Sequence, residues 1–120
     1  MNKLYKEYVN YHFVSSSELT HEFKSFATKL KRRLTKAVEE ENLEMTDFSR
    51  GHFYCSGFVY NPETKKYAYF NVGDVRWGVM GKPLDTCLIR TAKNAKDYHG
   101  GDNNYCRVYD MAKKLKALTA

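Results

Sequence analysis

The sequence predicts an α+β fold: an antiparallel sheet of three to four strands, with a long N-terminal helix and a C-terminal helix packed on one face. Three observations predict it. Leu19, Phe23, Phe26, Leu30, Leu34 and Val38 follow one another at spacings of three and four, with Ala27 four after Phe23, which is the apolar stripe of an amphipathic helix. From about residue 52 the period changes to aromatic and β-branched runs, HFYCSGFVY and KYAYFNV, joined by NPETK. Tyr105, Val108, Ala112, Leu115 and Leu118 then restore helical spacing to the end of the chain. Helix, strands and helix in that order fit a sheet covered by helices on one side.

Residues 3 to 14 are rich in Tyr, Val and Phe. Leu4, Tyr8 and Tyr11 keep helical spacing, yet YVNYHFV has the composition of a strand, so the type of this segment stays open. Ser15 precedes Glu18 by three residues, the pattern of a capping box, and the long helix is expected from about residue 17 to 42. It ends in Glu39, Glu40 and Glu41, whose charges oppose the helix dipole. In NPETK, Asn61 and Pro62 suit the first positions of a type I turn, which makes the two aromatic runs a hairpin. Gly73-Asp74 breaks the second run and VRWGVM, residues 75 to 80, reads as a third short strand. Gly81, Lys82 and Pro83 mark a turn, and DTCLIRTA reads as a further strand buried around Leu88 and Ile89. KNAKDYHGGDNN is a polar connection. Gly100-Gly101 permits its bend, and Asp102 or Asn103 is placed to cap the closing helix, expected to start near Asn103.

At 120 residues the chain is the size of one domain, and no linker or repeat divides it, so residues 1 to 120 are expected to form a single unit. Ten tyrosines and a net charge of +6 stand out and favour polyanions as partners. No apolar run approaches the roughly 18 residues of a membrane span, and MNKLYKEYVNYHFV lacks the pattern of a secretory leader. Cys55, Cys87 and Cys106 are odd in number and widely spaced, which reads as reduced thiols in a cytoplasmic protein.

Two basic clusters carry the functional expectation. Lys24, Lys29, Lys31, Arg32, Arg33 and Lys36 lie on the long helix, where clustered cations can follow a phosphate backbone. Lys24, Lys31, Arg32, Arg33 and Lys36 are the candidate contacts there; solvation of an ordinary helix surface is the plainer reading. Arg90, Lys93, Lys96 and Arg107 bracket Tyr98, His99 and Asn104 in the loop from 90 to 107, and a helix N-terminus beside them would suit an anion. In the hairpin, Tyr54, Phe58 and Tyr60 alternate onto one face. If the register joins them to Tyr67 and Tyr69, they form an aromatic platform for bases or a protein partner. Otherwise they are strand formers packed in the interior.

Metal and enzyme chemistry leave little trace. His52-x-x-Cys55 is half of a ligand motif, and on a strand its members point to opposite faces. Nucleophile-elbow, phosphate-loop and zinc-protease patterns are missing. His52 or His99 beside a carboxylate is the remaining route to a small nuclease or hydrolase. No cofactor is implied.

The order helix, three strands, helix is similar to that of double-stranded-RNA-binding domains, and GGDNNYCRVYDMAKKLKAL resembles their closing helix. That family carries a lysine cluster at the helix start. Here Asn104 and Tyr105 occupy those positions, and Lys113, Lys114 and Lys116 come later, so the likeness is one of topology. The short, Tyr- and Lys-rich profile without catalytic motifs is also similar to phage and mobile-element accessory proteins, including anti-CRISPR inhibitors. The leading expectation is a non-enzymatic protein that engages nucleic acid or a nucleoprotein through the basic helix and the Gly-Gly loop. The alternatives are an inhibitor that binds a host defence nuclease, as the second resemblance implies, and a small His-dependent hydrolase.

Overall fold

The structure, a computed structural model, describes residues 21–73 and 81–120. The segment 3 to 14, the Ser15–Glu18 capping pattern, Leu19 and the VRWGVM run lie outside the described residues. The chain runs through α1 (His21–Glu40), β1 (Glu44–Arg50), β2 (Cys55–Asn61), β3 (Lys66–Val72), β4 (Thr86–Ala92), β5 (Asn104–Arg107), a 3-10 turn (Val108–Asp110) and α2 (Met111–Leu118). The five strands form one sheet in sequence order, and each pairs antiparallel with its neighbours.

The apolar stripe of α1 is buried as its spacing requires: Phe23, Phe26, Ala27, Leu30, Leu34 and Val38 all sit in the core. Its end is set by Asn42, whose φ of 60° is the left-handed position that follows many helices. The Leu43 amide donates to the Val38 carbonyl at 2.9 Å and the Asn42 amide to the Glu39 carbonyl at 3.0 Å. Those two bonds, with Leu43 and Val38 both buried, form a Schellman motif that satisfies the last carbonyls despite the Glu39–Glu41 run.

Among the described residues the sheet has five strands, where three to four were expected. One addition is β1, EMTDFSR, an edge strand whose polar residues mask its alternation. It is interrupted between Met45 and Asp47, where the register shifts and Thr46 Oγ1 donates to the Phe58 carbonyl, a bulge that kinks the outermost of the described strands. The other is β5. Residues 104 to 107 pair with β4 and α2 begins only at Met111, so the helix expected from Asn103 is corrected to a strand, a single 3-10 turn and a shorter helix. The strand wins because Gly101, at φ 74°, reverses the chain, and Tyr105, Cys106 and Arg107 then alternate across the sheet.

The β2–β3 hairpin follows the NPETK reading. Asn61 Oδ1 accepts from the Glu63 and Thr64 amides, and the Lys65 amide closes the turn onto the Asn61 carbonyl. The same Asn61 is buried, and its amide group donates to the Thr119 carbonyl at 3.2 Å, with Lys66 Nζ on the Ala120 carbonyl at 2.8 Å. The hairpin therefore caps the C-terminal end of α2 and fixes it over the sheet.

Both helices pack on the same face. Cys55 and Val59 of β2, Ala68, Phe70 and Val72 of β3, Cys87 and Ile89 of β4, and Cys106 of β5 share one core with the α1 stripe and with Met111 and Leu115 of α2. Each fully buried large apolar side chain contributes about 1.5–3 kcal/mol. Gly57 lies on this face between Phe48 and Phe70, whose rings close over it at 6.1 Å. No helix among the described residues is long and apolar enough to cross a membrane.

Candidate binding groove on the outer sheet face

With the helices on one face, the opposite face is built by the alternate residues. Register places Ser56, Asn71, Leu88 and Tyr105 in one cross-strand row, Phe58, Tyr69 and Arg90 in the next, and Tyr60, Tyr67 and Ala92 in a third. The hairpin register thus joins the aromatics of β2 and β3, with the Tyr60 and Tyr67 rings tilted against each other at 4.7 Å and those of Phe58 and Tyr69 at 5.2 Å.

Phe58 is fully buried although it stands outside the main core. The cover is the loop between β4 and β5. Tyr98 folds back so that its ring meets Phe58 edge-on at 5.1 Å and Tyr69 at 5.8 Å. Arg90 fastens it: Nη2 donates to the Tyr98 carbonyl, and the guanidinium carbon lies 4.6 Å from the Tyr69 ring centroid. Arg90 Nε is buried with no hydrogen-bond partner among the described residues, a state that costs about 1–3 kcal/mol unless a ligand or water completes it.

Asp97 shapes the loop. Its carboxylate accepts from the amides of Lys93 at 2.9 Å, Gly100 at 2.9 Å and His99 at 3.3 Å. The bond from Lys93, with those from His99 and Gly100, holds the Asp97 carboxyl below the usual carboxylate range. A side chain at Gly100 would meet Asp97 Oδ2 at 2.1 Å, and one at Gly101 would meet the Thr91 carbonyl at 2.6 Å. Gly101 is therefore demanded by its close approach to the Thr91 backbone and by its positive φ, whereas a side chain at Gly100 would displace the Asp97 carboxylate.

At the near end, Phe53 adopts φ 60°, a conformation rarely taken by a bulky residue. Its ring is buried 5.2 Å from Phe23, while its neighbours His52 and Tyr54 are exposed, the His52 ring meeting the Phe53 ring edge-on at 4.9 Å. Two hollows result. One, of about 230 Å³, is lined by Tyr69, Asn71, Gly73, Leu88, Arg90 and Tyr105. The other, of about 390 Å³, is lined by His52, Tyr54, Ser56 and Tyr98 together with the same Tyr69, Asn71 and Gly73. They form one groove, and three half-exposed rings border it: Tyr54, Tyr98 and Tyr105, at 40%, 43% and 42% exposure. Lys82 Nζ sits 4.8 Å over the Tyr105 ring and adds a cation at the rim.

Of the residues singled out from sequence, Arg90 and Tyr98 meet in this groove. Lys93, Lys96 and His99 are exposed on the covering loop. Asn104 donates its side-chain amide to the Asp102 carbonyl at 3.0 Å, and Arg107 is paired with the buried Asp85 at 2.6 Å. The helix N-terminus expected beside them is not there, because α2 starts at Met111. Arg32, Arg33 and Lys36 are exposed on α1. Lys24 and Lys31 flank a separate hollow with Arg50, over Ala27 and Phe48. Since α1 and Arg90 lie on opposite faces of the sheet, the two basic clusters do not form one continuous surface. Ser56, Asn71, Leu88 and Tyr105 were not expected as site residues, and His52, weighed from sequence only for acid-base or metal chemistry, lines the larger hollow. Alternation along KYAYFNV and TCLIRTA puts Asn71 beside Tyr69 and Leu88 beside Arg90, and that signal could have found them.

Among the described residues no group of three His, Cys, Asp or Glu is placed to hold a metal ion. No known protein family matches the chain, and neither a curated protein nor a solved structure does.

Proposed function

We propose that the outer sheet face is a binding surface for single-stranded nucleic acid, without catalysis. Bases would stack on Tyr54, Tyr98 and Tyr105, the Asn71 amide and Arg90 would meet base edges or phosphate in the floor, and Lys82 would neutralise phosphate at the rim. The observation that carries this reading is the ring of three half-exposed tyrosines around a groove floored by an arginine already stacked on Tyr69. Aromatic faces with nearby cations hold single strands with little sequence preference, at about 1–3 kcal/mol per stacked base. The cations of α1 would add a separate, purely electrostatic contact on the far side.

Titration of labelled single-stranded and duplex oligonucleotides at low and at elevated salt tests the reading. Preferential binding of single strands, weakening with salt but not abolished by it, is expected. No binding of a single strand at low salt removes it. Capture of a protein from nuclease-treated host lysate, without affinity for oligonucleotides, would favour the inhibitor reading, with the same tyrosines as anchors.

A further inference from the structure

Cys87 and Cys106 are direct partners across β4 and β5, and both point into the core face of the sheet. Their sulfurs are 3.5 Å apart, and Cys87 Sγ also lies 3.4 Å from the Cys106 carbonyl. Directly opposed residues of antiparallel strands have Cα atoms about 4.5–5.5 Å apart, inside the roughly 4.4–6.8 Å that a disulfide spans. Closing the sulfurs to about 2.0 Å needs side-chain rotation and a small approach of the strands. β5 can supply that approach, being a four-residue strand that pairs on one side only among the described residues. Cys55 is the contrast: it sits on β2, buried, with no sulfur beside it among the described residues.

We propose that Cys87 and Cys106 are an oxidation site, a thiol pair that a small peroxide converts into an intrachain disulfide locking β5 to β4. The hydrogen bond from Cys87 lowers the affinity of Cys106 for its proton, and the same bond with burial raises that of Cys87. Cys106 is also the more exposed of the two, at 9% against 0%. Cys106 is thus the attacking thiolate. Its sulfur takes one oxygen from hydrogen peroxide, breaking the O–O bond and releasing hydroxide, to give a sulfenic acid. The Cys87 sulfur then attacks the Cys106 sulfur. The S–O bond breaks, the Cys87 proton leaves with the hydroxyl as water, and the S–S bond remains. Burial pushes the Cys55 thiol up to about 12, which keeps it protonated and out of this chemistry. The disulfide does not depend on what the outer face binds.

The test treats the folded full-length chain with graded hydrogen peroxide, blocks remaining thiols and maps the peptides by mass. Expected is the loss of two hydrogen atoms per chain, a linked peptide pair containing Cys87 and Cys106, and a blocked Cys55. The same pair must form in Cys55→Ser, and in Cys106→Ser the Cys87 thiol must survive the peroxide dose that oxidises the wild type. Linkage through Cys55, linkage between chains, or oxygen addition without any Cys87–Cys106 bond would overturn the proposal. So would equal oxidation of Cys87 in Cys106→Ser. Because the wild-type map is decisive by itself, a variant that fails to fold does not block the test.

Discussion

The Arg90 guanidinium lies over the Tyr69 ring, 4.6 Å from its centroid, and donates to the Tyr98 carbonyl from the same position. One side chain therefore joins the sheet to the loop that covers it. The outer face is accordingly a small second core of Phe58, Tyr69 and Tyr98 with a cation at its border, and the groove exists because that loop is held down.

Replacing Arg90 removes a cation–π contact and a charge-assisted hydrogen bond together. Arg90→Met is expected to lower stability by about 1–2 kcal/mol in chemical denaturation. It should also speed amide exchange at residues 97 to 101. Arg90→Lys retains the charge and loses the planar stack, so it should restore only part of the loop protection.

The loop is also sensitive to acid. The Asp97 pKa is lowered in the folded protein by the amides of Lys93, His99 and Gly100. Its contribution is therefore complete above the ordinary carboxylate pKa and is lost as pH falls through the lowered folded value. Amide protection at His99 and Gly100 should fall on acidification into and below the ordinary carboxylate range while the α1 amides stay protected. Asp97→Asn should show the loosened loop at neutral pH and no such dependence.

Gly57 occupies a position where no side chain fits. A Cβ there would meet the Asp47 carbonyl oxygen at 2.1 Å and the tip of the Phe70 ring at 2.7 Å. Gly57→Ala is expected to destabilise the fold by about 1–3 kcal/mol through overpacking, read as a lower denaturation midpoint. Gly81→Ala, with nothing within 4 Å of its Cβ, is a control for steric crowding; its loss should come from the positive φ alone.

The sequence made the fold class, the α1 stripe and the hairpin legible because each follows from a local period. Phe23 to Val38 needs only the helical repeat, and Asn61-Pro62 needs only turn chemistry. The strands β1 and β5 were not legible. EMTDFSR has a bulge and a polar edge, so its alternation is broken, and NYCR is four residues long and continuous with a helical pattern. Losing β5 moved Tyr105 onto a helix and placed a helix N-terminus near Asn103, where the structure has a strand. The groove itself is a product of register and loop packing. Arg90 and Tyr98 were marked for charge and neighbourhood, yet their meeting over Tyr69 depends on the cross-strand pairs Phe58–Tyr69 and Tyr69–Arg90, which no single-strand pattern encodes.

The most direct test compares the binding of one labelled single-stranded oligonucleotide to three folded proteins at moderate salt. These are the wild type, Tyr54→Ala/Tyr105→Ala in the groove, and Lys31→Ala/Arg32→Ala/Arg33→Ala on α1. All five positions are exposed, so folding should be preserved. The groove variant should lose affinity by about tenfold per ring removed, and the helix variant only the share that added salt already suppresses. Unchanged affinity in the groove variant, with binding abolished in the helix variant, would contradict the assignment of the outer face as the binding surface.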